Sequence, residues 1–284
     1  MARSGAADRN PLPPRKRLWC VEAYNVASHQ TEARLNSRPF ALSTQDAVGW
    51  LREQPAESID LLITDPAYES LEKHRAIGTT TRLKHSKSSS NDWFQIFPNE
   101  RFGELFREAF RVLRRNTHFY LLCDAETMFV AKQVGEDAGF RFWKPLVWDK
   151  VTIGMGYHYR ARYEFILFFE KGKRRLNDLG IADVIAVPRV RGGYPAEKPS
   201  EVAAVLIGQS SVAGELVADP FMGSGSVGVA ALKLGRRFAG NDLNPEAVKA
   251  AEDRLRKGGL LDGGDGDHGH TQRNGATATN GGLF

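Results

Sequence analysis

Cysteine is nearly absent. The 284 residues hold only Cys20 and Cys123, which excludes a disulfide framework and leaves too few thiols for a cysteine-built zinc site. Long apolar runs are missing too: none reaches the roughly 18–20 residues of a membrane span. The first residues, MARSGAADRNPLPPRKRL, carry basic side chains with no apolar stretch behind them and do not read as a secretory signal. Neither sign of charge dominates, since Lys plus Arg is 39 and Asp plus Glu is 34, for a net charge of +5. What is present is a hydrophobic fraction of 42%, enough for a packed core and incompatible with disorder of the whole chain. The expectation is a cytoplasmic protein whose mild basic bias must be judged by where the charges sit.

The two ends differ from the middle. Residues 1–35 read as a basic flexible segment, with Arg3, Arg9, Arg15, Lys16 and Arg17 among prolines and small residues. Residues 258–284 are glycine-rich and read as a flexible tail. Asp262, Asp265, Asp267, His268 and His270 lie in that tail, but nothing rigid would hold them in a ligand geometry, and no metal is expected. Residues 36–257 alternate between two patterns. Short apolar runs at 59–64, 117–123, 144–148, 163–169, 215–218 and 237–241 suit strands buried on both faces. Between them, residues 100–113 place Phe102, Leu105, Phe106, Ala109, Phe110 and Leu113 at helical spacing, and 127–138, 200–209, 227–234 and 245–256 also read as helices. Such alternation predicts an α/β fold with a mostly parallel twisted sheet and helices on both faces. Residues 69–92 and 171–195 fit no element.

Two motifs carry chemistry. In DPFMGSGSVG, Gly223, Gly225 and Gly228 give GxGxxG spacing between a strand and a helix. A chain turning beside a ligand needs residues without a Cβ there. Asp242 follows at the end of the next strand, where a carboxylate can accept from both hydroxyls of a ribose. The arrangement reads as a nucleoside-cofactor site rather than a merely structural turn. A dinucleotide would rest its pyrophosphate on the helix; S-adenosylmethionine (SAM) would use the same turn, with Asp219 meeting its amino end. The second motif, Thr64-Asp65-Pro66-Ala67-Tyr68, ends the strongest strand. Pro66 holds Asp65 extended, so that the Asp65 carboxylate and Pro66 carbonyl form two acceptors beside the Tyr68 ring. That set suits a planar molecule bearing an NH₂ group. A plain surface turn would look much the same.

TDPAY resembles the DPPY signature of DNA amino-methyltransferases, and DPFMGSGS resembles their SAM-binding FxGxG signature. Their order, catalytic motif first, is similar to the β group of that family. Gln45-Asp46-Ala47, Val147-Trp148-Asp149-Lys150, Tyr163-Glu164-Phe165-Ile166-Leu167 and Tyr194-Pro195-Ala196-Glu197-Lys198-Pro199 extend the likeness over residues 42–256. Ala67 stands where the family usually has a second proline, Tyr194 for a histidine and Asp242 for a glutamate. The resemblance implies a Rossmann-like methyltransferase fold with permuted motif order, SAM as cofactor, and double-stranded DNA as partner. It also implies methyl transfer to the N6 amine of a flipped-out adenine. Asp65, Pro66, Ala67 and Tyr68 would then be catalytic. Asp46, Asp219, Phe221, Gly223, Ser224, Gly225, Asp242, Lys198 and Pro199 would hold the cofactor, the last two by closing over its methionine end. The basic run Lys73, Arg75, Arg82, Lys84 and Lys87 would contact DNA, with Arg160 and Arg162. The segments 69–92 and 171–195 become DNA-contacting inserts; within the second lie Lys171, Lys173, Arg174, Arg175, Arg189 and Arg191. Cytosine-N4 methylation, an NAD-dependent oxidoreductase and a degenerate DNA-binding module remain alternatives. A restriction endonuclease partner and a homodimer are left open.

Overall fold

The computed structural model describes residues 39–69, 95–154, 159–191 and 197–259. The expected basic segment at 1–35 and the tail from 260 lie outside them. Eight strands form one sheet: β1 (Phe40–Thr44), β2 (Ile59–Thr64), β3 (Leu113–Cys123), β4 (Arg141–Asp149), β5 (Tyr163–Lys171), β6 (Val184–Ala186), β7 (Leu216–Asp219) and β8 (Arg237–Asp242). The helices are α1 (Ala47–Glu53), α2 (Phe102–Val112), α3 (Ala125–Asp137), α4 (Ser200–Ser210), α5 (Ser226–Lys233) and α6 (Pro245–Gly259).

The sheet order is β1-β8-β7-β2-β3-β5-β4-β6. Every pairing is parallel except those of β5, which runs against both β3 and β4. Strand β2 is buried at all six positions, as a strand covered on both faces must be. Its side chains alternate over 61–63, Leu62 joining the cluster under α1, α2 and α3 and Leu61 and Ile63 the one under α4, α5 and α6, while Ile59, before the irregular register with β3, joins the first. The result is a three-layer sandwich, the Rossmann-like architecture that the motifs implied.

At β2 and β7 the order changes direction. From β2 the chain crosses to β3 on one side, and from β7 to β8 on the other. Open α/β sheets bind ligands in the crevice at the carboxyl ends of such a pair. The strands ending there are those that deliver Asp65 and Asp219.

Several expectations shift. Leu113 opens β3 instead of ending a helix, and β3 pairs irregularly with β2 around Asn116, whose φ is 62°. The 171–195 stretch contains the edge strand β6.

Candidate active site

Thr64 is the last residue of β2, and its hydroxyl donates to Asp219 Oδ1 at 2.8 Å. This bond ties the two motif-bearing strands together in the wall of a cleft of about 1150 Å³, large enough for a nucleotide-sized ligand. Asp65, Pro66, Ala67 and Tyr68 line one side; Asp219, Phe221, Gly223, Ser224 and Asp242 line the other. Two motifs more than a hundred residues apart in the chain thus face one cavity. The Ala67 carbonyl accepts from Phe97 N–H at 2.8 Å, so a backbone hydrogen bond fixes the turn where a second proline is missing.

The glycine turn is shaped as its spacing suggests. Gly223 has φ +50° and open space where a Cβ would project, while Gly225 has φ +79° and would drive a Cβ to 2.9 Å from that of Ala251. The first therefore leaves room on the cleft side and the second makes room for α6. Gly223 N–H donates to Asp242 Oδ2 at 2.9 Å, and Asn244 N–H to Oδ1 at 2.9 Å, which locks the turn to the end of β8. Burial raises the Asp242 carboxyl above its ordinary value, against these donors. Asp219 is buried more deeply. Desolvation pushes it up to about 8, opposed by the Thr64 hydroxyl and Phe221 N–H. A carboxyl held this way gains by meeting a cation. Ser226, at the start of α5, lines the same cleft, and its buried hydroxyl has no hydrogen-bond partner among the described residues. These features fit a ligand with a cationic end and hydroxyl groups.

Asp46 and Ser224 are less free than expected. Asp46 caps α1 through Gly49 N–H at 2.9 Å, and the Arg101 guanidinium grips it at 2.7 and 2.9 Å, holding its carboxyl below the usual range. Arg101 also lies over Phe97, which meets Phe221 edge to face. Arg254 donates to both the Ser224 carbonyl, at 2.8 Å, and its hydroxyl, at 2.7 Å, and pairs with Glu197 at 2.8 Å. Sequence reasoning missed both arginines, because each acts from an otherwise ordinary helical position.

Around Asp65 the structure gathers three charged residues from the later motif segments, two of which, Glu164 and Lys150, had been given no role. Lys198 Nζ lies 2.5 Å from Asp65 Oδ2 and 3.4 Å from Glu164 Oε2, and Lys150 Nζ lies 2.6 Å from Glu164 Oε1. Lys198, expected over a methionine end, lines the cleft and lies between two carboxylates, nearer to Asp65. Pro199 follows at the start of α4. Tyr68 donates to Asp65 Oδ1 at 3.1 Å, and its ring is buried in the same core cluster as Phe97. Burial raises the Asp65 carboxyl, with Lys198 pulling it down, and keeps the Tyr68 phenol un-ionised. A charged residue opening the apolar run of β5 was the available signal for Glu164.

Of the expected DNA contacts, Lys73, Arg75, Arg82, Lys84 and Lys87 lie outside the described residues. Arg160 and Arg162 are exposed in the β4–β5 connection; Arg160 donates to the Gly154 carbonyl and Arg162 pairs with Asp149 at 2.7 Å. Because β4 runs parallel to β2, that connection leaves the edge of the sheet that carries Asp65. Residues 187–191, with the exposed Arg189 and Arg191, leave β6 at the same edge. The rest of the second basic segment does not. Strand β5 ends at the opposite edge, where Lys171 donates to the Phe110 carbonyl and Arg174 pairs with Glu215 at 3.1 Å.

A family model described as DNA methylase, for N6 and N4 methyltransferases, matches residues 59–188 and 179–253. DNA adenine methyltransferase YhdJ of Escherichia coli K12 is 27% identical over 250 residues, covering 74% of this chain and 80% of its own length. The structure of TTHA0409 from Thermus thermophilus, complexed with S-adenosyl-L-methionine, superposes with TM-score 0.57 at 20% identity and covers 77% of this chain and 94% of that one. The cytosine-N4-specific PvuII DNA methyltransferase gives TM-score 0.59 at 15% identity, over 76% and 86%.

Proposed function

Since the chain belongs to the family of N6/N4 DNA methylases, we propose that it methylates the exocyclic N6 amine of an adenine flipped out of double-stranded DNA, with SAM as donor. One observation carries the reading: the Asp65 turn faces the glycine turn across a single cleft, with Thr64 bonded to Asp219 between them. The donor supplies an electrophilic methyl group. Asp219 holds its ammonium end, Asp242 its ribose hydroxyls, and Phe221 with Asp46 its base, while Gly223 lets the backbone approach closely. Asp65 and the Pro66 carbonyl accept the two N–H bonds of the target amine. That localises a lone pair otherwise delocalised into the ring, and the Asp65 charge offsets the positive charge developing on nitrogen. Tyr68 orients Asp65 and presents its ring to the base. An amine inside a duplex cannot reach this depth, so the base must leave the stack, at a cost of a few kcal/mol.

Arg160, Arg162, Arg189 and Arg191 contact phosphates at the cleft edge. Lys73, Arg75, Arg82, Lys84 and Lys87 are assigned there on charge and on their position shortly after Tyr68. Adenine is favoured over cytosine by Asp65 at the head of the motif and by the named adenine relative. Expression in a methylation-free host, followed by mass spectrometry of nucleosides, tests this directly. N6-methyladenine is expected, with Asp65→Ala abolishing it. N4-methylcytosine would reassign the base, and a fully active Asp65→Ala would remove the mechanism.

A further inference from the structure

Both oxygens of the Asp65 carboxylate are already engaged. Oδ2 faces the Lys198 ammonium at 2.5 Å, and Oδ1 takes the Tyr68 hydroxyl. An amine entering to donate there meets a cation already in its place. The same ammonium looks onto a second carboxylate. Glu164 Oε2, at 3.4 Å, is buried and accepts no hydrogen bond among the described residues. Its other oxygen is pinned by Lys150 at 2.6 Å. That oxygen meets the ammonium at ion-pair distance without a well-formed hydrogen bond, and a buried acceptor short of its hydrogen bond costs about 1–3 kcal/mol. It makes sense as an acceptor kept ready for a donor.

We propose that Lys198 is an exchangeable counter-ion, which occupies Asp65 until the base amine arrives and then transfers to Glu164, held ready by Lys150. This rests on the methyl-transfer reading above and adds two positioning residues to it, Glu164 and Lys150. The movement is small. A hydrogen bond of about 2.9 Å requires the ammonium to close only part of the gap it already spans. The charge argument is stronger than the distance. During transfer the new N–C bond forms as the S–C bond breaks, its electron pair staying on sulfur, and the amine nitrogen becomes cationic. An ammonium left on Asp65 would repel that charge; on Glu164 it is neutralised. The departing N–H proton goes to Asp65, because Lys198 is already fully protonated. Burial acts against that protonation, but the flanking Asp65 and Glu164 carboxylates outweigh it. Once Asp65 passes the proton to water, Lys198 can return and displace the methylated amine.

A double-mutant cycle separates exchange from simple support. Glu164→Gln removes the receiving charge and should lower kcat/KM for DNA about tenfold, the size expected for residues in contact. In a Lys198→Met background the receiver has no task, so the same substitution should cost less than about twofold. Lys198→Met alone should lower kcat yet tighten DNA binding, because the competitor for Asp65 is gone. SAM binding by calorimetry reports whether each variant is folded. Should Glu164→Gln lose it, Lys150→Met is carried through the same cycle. An equal penalty in both backgrounds, or weaker DNA binding by Lys198→Met, overturns the exchange while the wild-type chain still methylates DNA. A wild-type chain that methylates no DNA would instead overturn the function on which the exchange rests.

Discussion

A single methyl group added to either glycine of the turn after β7 should have opposite consequences. At Gly223 the new Cβ points into open cleft space, and only the backbone, at φ +50°, resists. A left-handed conformation costs an alanine roughly 1–2 kcal/mol, so the Gly223→Ala protein should remain folded while the methyl group takes up ligand space. Gly225 carries the same backbone demand and adds a contact at 2.9 Å with Ala251. Gly225→Ala must therefore push α6 away from the turn. Thermal melting paired with SAM titration should find affinity lost mainly in the first variant and stability mainly in the second. Reversed results would mean the cleft side of the turn is misassigned. Asp65 poses a related question of scale, because its burial raises the carboxyl while Lys198 lowers it. A carboxyl raised in this way is a better proton acceptor after methyl transfer than an exposed aspartate would be.

Among the elements, α6 reaches furthest beyond its own length. Arg254 ties the Ser224 carbonyl and hydroxyl to Glu197, and so joins the glycine turn to the segment that delivers Lys198. Arg254→Met should weaken SAM binding about tenfold, as expected for losing hydrogen bonds to a charged group, while moving the thermal midpoint only about 3 °C. Unchanged SAM affinity would make the link merely structural. The six strands read from sequence are all present, even β4, whose apolar run is only partly covered. Strand β1 was not legible: its five residues, FALST, are only partly buried at the edge beside β8. Nor was β6, with one buried residue in three. The motifs named Asp65 and Asp219, and both line one cleft. What they could not convey was pairing across elements. Lys198 reaches Asp65 from the segment before α4, and Lys150 reaches Glu164 because β4 ends and β5 begins at the edge where β2 ends. Local spacing contains no information about that edge.

For the molecule as a whole, the polar cluster at the far end of the sheet makes one separable contribution to behaviour in acid. His118 is fully buried, with its ring bonded to Ser210, whose hydroxyl also meets Tyr120 at 2.7 Å. Burial lowers the imidazole from 6.5 to about 4. Above pH 6.5 the ring is neutral whether the chain is folded or not, and its burial has no pH-dependent effect. Between pH 6.5 and 4 the unfolded chain takes up a proton that the native state refuses, so stability falls with pH. From pH 7.5 to 5 this amounts to about 2 kcal/mol. Asp219, raised to about 8, works in the opposite direction, since the native state holds its proton more tightly than the unfolded chain does. Chemical denaturation of wild type and His118→Asn at both pH values isolates the histidine: the variant should lack that loss, and an identical pH response would refute the assignment. The sheet order has a consequence in time. During synthesis β1 through β6 leave the ribosome before β7 and β8 exist. Until then β1 has no partner strand, and β2 offers an open edge where β7 will lie. The nascent chain therefore carries its Asp65 turn without the opposite wall of the cleft. A chain stopped before residue 216 would expose one side of a strand that is buried at all six positions in the complete fold, leaving it prone to aggregation and to capture by chaperones.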